Sequence, residues 1–358
     1  MARQNRTSKL HSTNLKDLTA AKSEWSRRLF PPPRKEAAQY ADSPITAARA
    51  LVRAISPVPT DNVMGVGVGE KISSGRHTGV WAVKFFVRLK YPEAQLESKH
   101  RLPKSINGLP VDVEETGLFR PFAAPAKRPA TKAATPNPRT KIRPAQPGCS
   151  IGFQDPTNQS TMAGTFGALV SDKTGSYILS NNHVLADENQ LPPGSPIFQP
   201  GLLDNGNANA DQIAELTRAV TLQVNVPNHV DCAIAKLLKP SLATNQILFI
   251  GAPQGTADAE IDMTVHKFGR TTQYSVGRIS SIDTDVKLPY DIGTLTFESQ
   301  ILIVGLNGAA FSAPGDSGSL ILDRPSNQAV ALLFAGSSTH TIDNHIGDVL
   351  KALKVKLA

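Results

Sequence analysis

Cysteine is scarce in this chain of 358 residues: there are two, Cys149 and Cys232. Two cannot build the multi-bridge framework of a small secreted domain, so the fold must rest on a hydrophobic core. A reducing compartment is expected, with the cytoplasm as the location. Long apolar runs are also missing. No stretch approaches the roughly 20 residues that cross a bilayer, and no membrane partner is expected. The opening residues, Met1-Ala2-Arg3-Gln4-Asn5-Arg6, lack the apolar core of a secretory leader. Their Arg and Ser content leaves an organelle transit segment open. Acidic residues are wholly absent from residues 120–147, which carry seven Lys/Arg and seven prolines. Such a segment buries too little apolar surface to fold alone and reads as a semi-extended linker.

What is present is ordinary for a globular protein: 40% hydrophobic and 19% charged residues. The net charge of +8 is concentrated in two places. Residues 1–40 hold nine Lys/Arg against three Asp/Glu, and the linker holds the other excess, so the remainder is mildly acidic. A basic arm can engage nucleic acid through phosphates. Without interleaved aromatics or a nucleic-acid fold, a solvated arm is the simpler reading.

Hydrophobic periodicity divides the chain. Residues 1–43 have no sustained period and read as a mostly disordered basic arm, with room for a short helix near Leu15–Leu29. Residues 44–119 read as a small α+β domain. Its first helix opens at Ser43-Pro44, strands follow over 62–71 and 81–89, a helix over 91–100, and a third strand over 109–114. The glycines at 65, 67 and 69 alternate within a strand. They lack the Lys-Ser/Thr ending or helix start of a phosphate loop, so close backbone packing is their expected role. Asp112 and Glu114 share a strand face, but with no His or further carboxylate at ligand spacing they read as a solvated edge rather than a metal site. No metal or cofactor is expected. Residues 120–148 form the linker. From residue 149 to 358 the pattern is of short strands broken by Gly, Asn and Pro, with a closing helix over 343–353, an all-β domain. Residues 219–226 are among its strand candidates.

The chemistry centres on Pro314-Gly315-Asp316-Ser317-Gly318-Ser319, a tight turn followed by the apolar run Leu320-Ile321-Leu322. A serine hydroxyl is a poor nucleophile at neutral pH and needs a base, usually a His oriented by a buried carboxylate. His183 follows the apolar run Tyr177-Ile178-Leu179, and Asp231 opens a strand-like segment. The order is His, Asp, Ser, with spacings of 48 and 86 positions. Of the other histidines, only His229 lies near a motif, and it reads as a surface residue in a loop.

These three segments resemble the trypsin/chymotrypsin-like serine peptidases, in the bacterial intracellular style without disulfides, over roughly residues 149–355. From about residue 60 the chain also resembles a bacterial and plant group that includes the narrow-leaf proteins. The resemblance implies a mainly β, chymotrypsin-like double six-stranded β-barrel with a C-terminal helix, here preceded by the small α+β domain. It implies an endopeptidase with His183, Asp231 and Ser317 as the triad and the backbone N–H groups of Gly315 and Ser317 as the oxyanion hole. Lys267-Phe268-Gly269-Arg270-Thr271-Thr272 is similar to a bacterial motif whose arginine pairs with the carboxylate before the nucleophile, which implies an Arg270–Asp316 ion pair. Phe311 is implied at the base of the primary pocket, with Ala335 and Gly336 on the substrate-flanking strand. An apolar pocket of this kind suggests a small or aliphatic side chain before the scissile bond. The expected partners are a protein or peptide substrate and a regulatory partner of residues 44–119. Three alternatives stay open: a catalytically weak peptide-binding or scaffold protein on the same fold, an esterase, and a peptidase recruited to nucleic acid by its basic arm.

Overall fold

The computed structural model describes residues 15–31, 62–122, 137–155 and 161–358. The helix expected from Ser43-Pro44 and the middle of the linker lie outside them. The chain begins with α1 (Leu15–Leu29), then β1 (Val63–Ser73), β2 (Arg76–Val87), β3 (Ser105–Ile106), β4 (Leu109–Glu115) and β5 (Arg120–Pro121). A second group comprises β6 (Ser150–Phe153), β7 (Gly164–Thr165), β8 (Ala168–Asp172), β9 (Gly175–Ser180), the one-turn α2 (Asn182–Leu185), β10 (Pro196–Phe198), β11 (Gln212–Ala219) and β12 (Ala233–Leu237). The third comprises β13 (Thr264–Gly269), β14 (Gln273–Tyr290), β15 (Gly293–Gly305), β16 (Leu320–Asp323), β17 (Ala329–Gly336) and β18 (His340–His345), followed by α3 (Ile346–Leu353) and β19 (Lys356–Leu357).

The fold is mainly β, in two sheets. In the third group each strand pairs antiparallel with the next around the ring β13-β16-β17-β18-β15-β14, and β14 returns to β13, closing a six-stranded barrel. Its interior holds Val265, Ile279, Ile301, Ile303, Ile321 and Leu333. The second group forms the path β19-β8-β9-β12-β11-β10-β6-β7. It curls on itself where Phe166, between β7 and β8, exchanges backbone hydrogen bonds with Gly148 and Cys149 (2.7 and 2.9 Å). Both cysteines are buried and free. Burial pushes the Cys149 thiol up to about 12, so it stays a neutral core residue.

The strands of residues 62–115 do not form a separate sheet. The hairpin β14–β15 is longer than the barrel needs, and β1 pairs antiparallel with the outer part of β14, from Gly65↔Val286 to Gly69↔Ser281. Strands β2, β4 and β3 follow in order. The alternating glycines permit this approach. A Cβ at Gly67 would lie 2.4 Å from Thr284 Oγ1, and one at Gly69 would lie 2.5 Å from the Ser280 carbonyl oxygen. Helix α1 covers the sheet with Leu18, Ala21, Lys22 and Trp25, one stripe at helical spacing. Trp25 meets Phe85 edge-on at 5.3 Å, and the buried Lys22 pairs with Asp285 at 2.6 Å and Asp283 at 3.0 Å. The basic arm therefore contains a packed helix held by apolar contact and a buried ion pair.

Other expectations change for local reasons. Residues 91–100 make two single 3-10 turns, Glu93–Gln95 and Ser98–His100, because Leu96 alone gives no apolar stripe to bury. Asp112 and Glu114 are not a solvated edge: Lys84, itself buried, lies 3.6 Å from Asp112 and 2.6 Å from Glu114. Burial would raise the Glu114 carboxyl, but His340 and Lys84 outweigh it and hold it at about 2. The C-terminal part of the expected linker packs against the second-group sheet. Ala145 is buried, and the Leu248 N–H donates to the Pro147 carbonyl at 2.9 Å. Among the described residues no helix is long and apolar enough to cross a membrane.

Candidate active site

The seam between the barrel and the second-group sheet brings His183 to Asp231 and sets the Ser317 turn beside the segment that carries His183. β9 ends at Ser180, and β12 pairs with it in the register Ala233↔Ser180. That register sets the residues just after β9 beside those just before β12, and so brings His183 to Asp231. Asp231 is fully buried. Its Oδ2 lies 2.6 Å from His183 Nδ1, and its Oδ1 accepts the Asn182 N–H at 2.6 Å. The Asp231 N–H donates to Asn344 Oδ1 at 3.0 Å. Tyr290, at the tip of the long hairpin, donates its hydroxyl to Asp231 Oδ2 at 2.7 Å. Burial and the Asp231 charge push that phenol well above its ordinary range, so it stays a donor. An ionised Asp231 can only accept, which places the imidazole proton on Nδ1 and leaves Nε2 as the free lone pair of a neutral ring. Nε2 is buried and has no hydrogen-bond partner among the described residues.

The Ser317 turn lies on the other side of the seam. Gly315 and Gly318 adopt φ of +97° and +91°, which a side chain strains to reach. Space enforces the same choice: a Cβ at Gly318 would sit 2.0 Å from Ser180 Oγ. A Cβ at Gly164 would sit 2.7 Å from Val184 and 3.0 Å from the Ser317 carbonyl, so the turn abuts the segment that carries His183. Thr165 clamps the two halves. Its N–H donates to the Ser317 carbonyl at 2.8 Å and its hydroxyl to the Gly315 carbonyl at 3.0 Å. The Ser317 hydroxyl does not donate to His183. It donates to the Phe334 carbonyl at 3.1 Å.

The expected Arg270–Asp316 ion pair is not formed. Arg270 makes a buried two-pronged pair with Asp204, at 2.5 Å from Nε and 2.7 Å from Nη2. A planar guanidinium matches a carboxylate edge, and Asp204 offers both oxygens from a turn after β10. Asp316 is instead satisfied by the N–H groups of Thr271 (2.8 Å), Thr272 (3.1 Å) and Ala313 (3.0 Å), the Thr272 hydroxyl (2.6 Å) and the Lys267 ammonium (3.4 Å). Asp204, Lys267, Thr165 and Tyr290 escape a sequence reading. Only Lys267 had a usable signal, a lysine in a strand otherwise buried.

The edge of β17 that carries Ala335 and Gly336 is occupied by the chain itself. Phe311 is buried, and its carbonyl accepts the Ser275 hydroxyl at 2.7 Å. Ala335 and Gly336 pair antiparallel with Pro121 and Arg120 of β5. The Phe122 N–H points to the Phe334 carbonyl at 3.4 Å, and the Gly315 N–H donates to the Phe122 carbonyl at 3.0 Å. His229 is exposed.

No protein-family model matches the chain. Protein NARROW LEAF 1 of Oryza sativa subsp. japonica is 24% identical over 307 residues, 77% of this chain and 51% of that protein. The chain thus spans about half the length of that relative. Among solved structures, a glutamic-acid-specific serine protease is 16% identical at a TM-score of 0.41, with 60% of this chain and all of that one covered. Protease A of Thermobifida fusca is 15% identical at a TM-score of 0.42, covering 59% of this chain and 97% of that one.

Proposed function

We propose that this protein is a serine endopeptidase that cuts peptide bonds through an acyl-enzyme formed on Ser317. The observation that carries the reading is the buried His183–Asp231 pair, with an uncommitted Nε2, on a segment that packs against the Ser317 turn. A rotation about χ1 of Ser317 exchanges the Phe334 carbonyl for another acceptor, and catalytic hydrogen bonds are commonly loose before substrate binds. In the reaction His183 Nε2 takes the hydroxyl proton as Oγ attacks the carbonyl carbon, and later gives a proton to the leaving amine. Asp231 holds the tautomer and stabilises the imidazolium. The Gly315 N–H supports this by its direction: it already donates to a peptide carbonyl, as an oxyanion donor must. Loss of one such donor typically costs about 3 kcal/mol of activation energy.

A second reading, a peptide-binding protein of the same fold without turnover, is favoured by the hydroxyl's present bond to Phe334 and by the filled cleft. Labelling by a fluorophosphonate separates the two. The peptidase reading expects covalent labelling of Ser317 in the wild type or in a variant with the cleft opened, lost in Ser317→Ala and in His183→Ala. Labelling that survives in Ser317→Ala, or that is absent throughout, sinks it.

A further inference from the structure

Beyond Leu332, β17 no longer pairs with β16, and its edge is taken by other segments. Ser319 and Gly318 fill the Leu333 position, with bonds of 3.0 and 2.8 Å. The next three positions are filled by Arg120-Pro121-Phe122, running antiparallel to β17 and toward the Ser317 turn. The run ends with the Phe122 carbonyl on the Gly315 N–H. That carbonyl belongs to the residue whose N–H faces Phe334 O, the same oxygen that accepts the Ser317 hydroxyl. An extended peptide added to a free sheet edge, with its last carbonyl on a backbone N–H beside a hydroxyl, is the arrangement of the acyl half of a bound substrate.

The side chain of Phe122 agrees with this register. It is 5% exposed and belongs to the same apolar cluster as Phe311, Val330 and Leu333. Its ring rests on Gly336, where a Cβ would come within 2.5 Å of the ring's Cζ. A glycine at 336 thus makes the room that an aromatic ring fills. The segment follows β4 after only residues 116–119, of which Phe119 is fully buried. A tether this short holds the segment at an effective concentration on the order of millimolar.

We propose that Arg120-Pro121-Phe122 occupies the acyl side of the cleft in substrate register, with Phe122 in the primary pocket, so that the site selects an aromatic residue before the bond it cuts and is blocked until this segment leaves. The inference rests on the peptidase reading. It replaces the small or aliphatic preference that the apolar pocket suggested from sequence.

Two measurements test it. Hydrogen exchange on the full-length wild type should show the amides of Phe122 and Gly315 protected; exchange of both within seconds overturns the proposal, whether or not any variant folds. In Phe122→Asp, checked for folding by circular dichroism, fluorophosphonate labelling and hydrolysis of short peptide anilides should rise at least tenfold over wild type. Anilides ending in Phe should be cut at least tenfold faster than those ending in Ala or Val. Equal rates in wild type and the folded variant, or a preference for Ala or Val, overturn it. Protected amides with no labelling of any variant would refute the peptidase reading and leave the occupied cleft standing.

Discussion

Asp231 and Asp316 are both fully buried at the same seam, and their surroundings differ in kind. Asp316 receives three backbone N–H groups, a hydroxyl and an ammonium, drawn from β13, the turn after it and the loop before Ser317. Every one of these donors is fixed, and the carboxylate holds the Ser317 turn to the barrel. Asp231 receives the N–H groups of Asn182 and, at 3.4 Å, His183, together with the Tyr290 hydroxyl and one ring nitrogen, with no lysine or arginine paired to it. Under the proposed mechanism its charge is left to respond to a proton arriving on the imidazole. On the peptidase reading proposed above, the carboxylate saturated by fixed donors serves structure and the one whose ring partner can change charge serves chemistry.

The comparison is broken first by exchanging charge at the two sites. Asp231→Asn keeps the shape but reverses the tautomer demanded of His183, and peptide hydrolysis should fall about 10⁴-fold, with unfolding by urea little changed. Loss of several kcal/mol of stability without that loss of rate would make Asp231 the structural member of the pair. Lys267→Met acts in the opposite sense. It leaves the Asp316 charge buried without its ammonium, and the expected cost is about 3–5 kcal/mol in urea unfolding. A smaller loss would show that the backbone and hydroxyl donors alone satisfy Asp316.

Asp343 in β18 sharpens the comparison, because it is a buried carboxyl whose two oxygens have no hydrogen-bond partner among the described residues. Burial pushes it well above its ordinary value, against the pull of Lys267. The native state keeps the proton while the unfolded chain loses it above about pH 4, so the native state binds more protons and stability falls as pH rises from there toward the native value. Removing the group by Asp343→Asn should flatten this fall. Between pH 5 and 7 the wild type should lose up to about 1.4 kcal/mol per pH unit relative to the variant. Parallel curves would mean that Lys267 serves two carboxylates and that Asp343 is ionised.

Much of the fold and the meeting of His183 with Asp231 was legible because the signals are local. The Gly-Asp-Ser-Gly turn announces positive φ, the alternation of Val83 and Phe85 announces a half-buried strand, and Leu18, Ala21 and Trp25 announce a helix face. What escaped depends on contacts distant in sequence. Residues 220–223 alternate like a strand, yet no strand forms beyond Ala219. The side chains of Asn182, Asn189 and Asn228 take the backbone groups of Val220, Leu222 and Gln223 at 2.8–3.0 Å, replacing a ladder. Arg270 chose Asp204 over Asp316, 66 positions away against 46, since both are buried carboxylates and only the fold decides which faces the fork. Residues 120–122 look like linker in sequence because a strand of two residues, completed by another strand's edge, has no period to read.

The smallest expected effect falls on Tyr290, and it tests what the hairpin tip contributes to Asp231. Tyr290→Phe keeps the ring that stacks on Phe297 and meets His183 edge-on, and removes only the hydroxyl donor. Asp231 Oδ2 then has the imidazole as its remaining partner, and the fixed orientation of the carboxylate rests on the backbone N–H groups of Asn182 (2.6 Å) and His183 (3.4 Å). A hydrogen bond to a buried charge is worth about 1.5–3 kcal/mol, but relaxation toward the imidazole recovers part of it. The expected outcome is a fall of about tenfold in kcat, with KM unchanged, because the lost interaction orients the base and touches no substrate. An equal rise in KM with kcat intact would place Tyr290 in substrate binding and remove it from the Asp231 network.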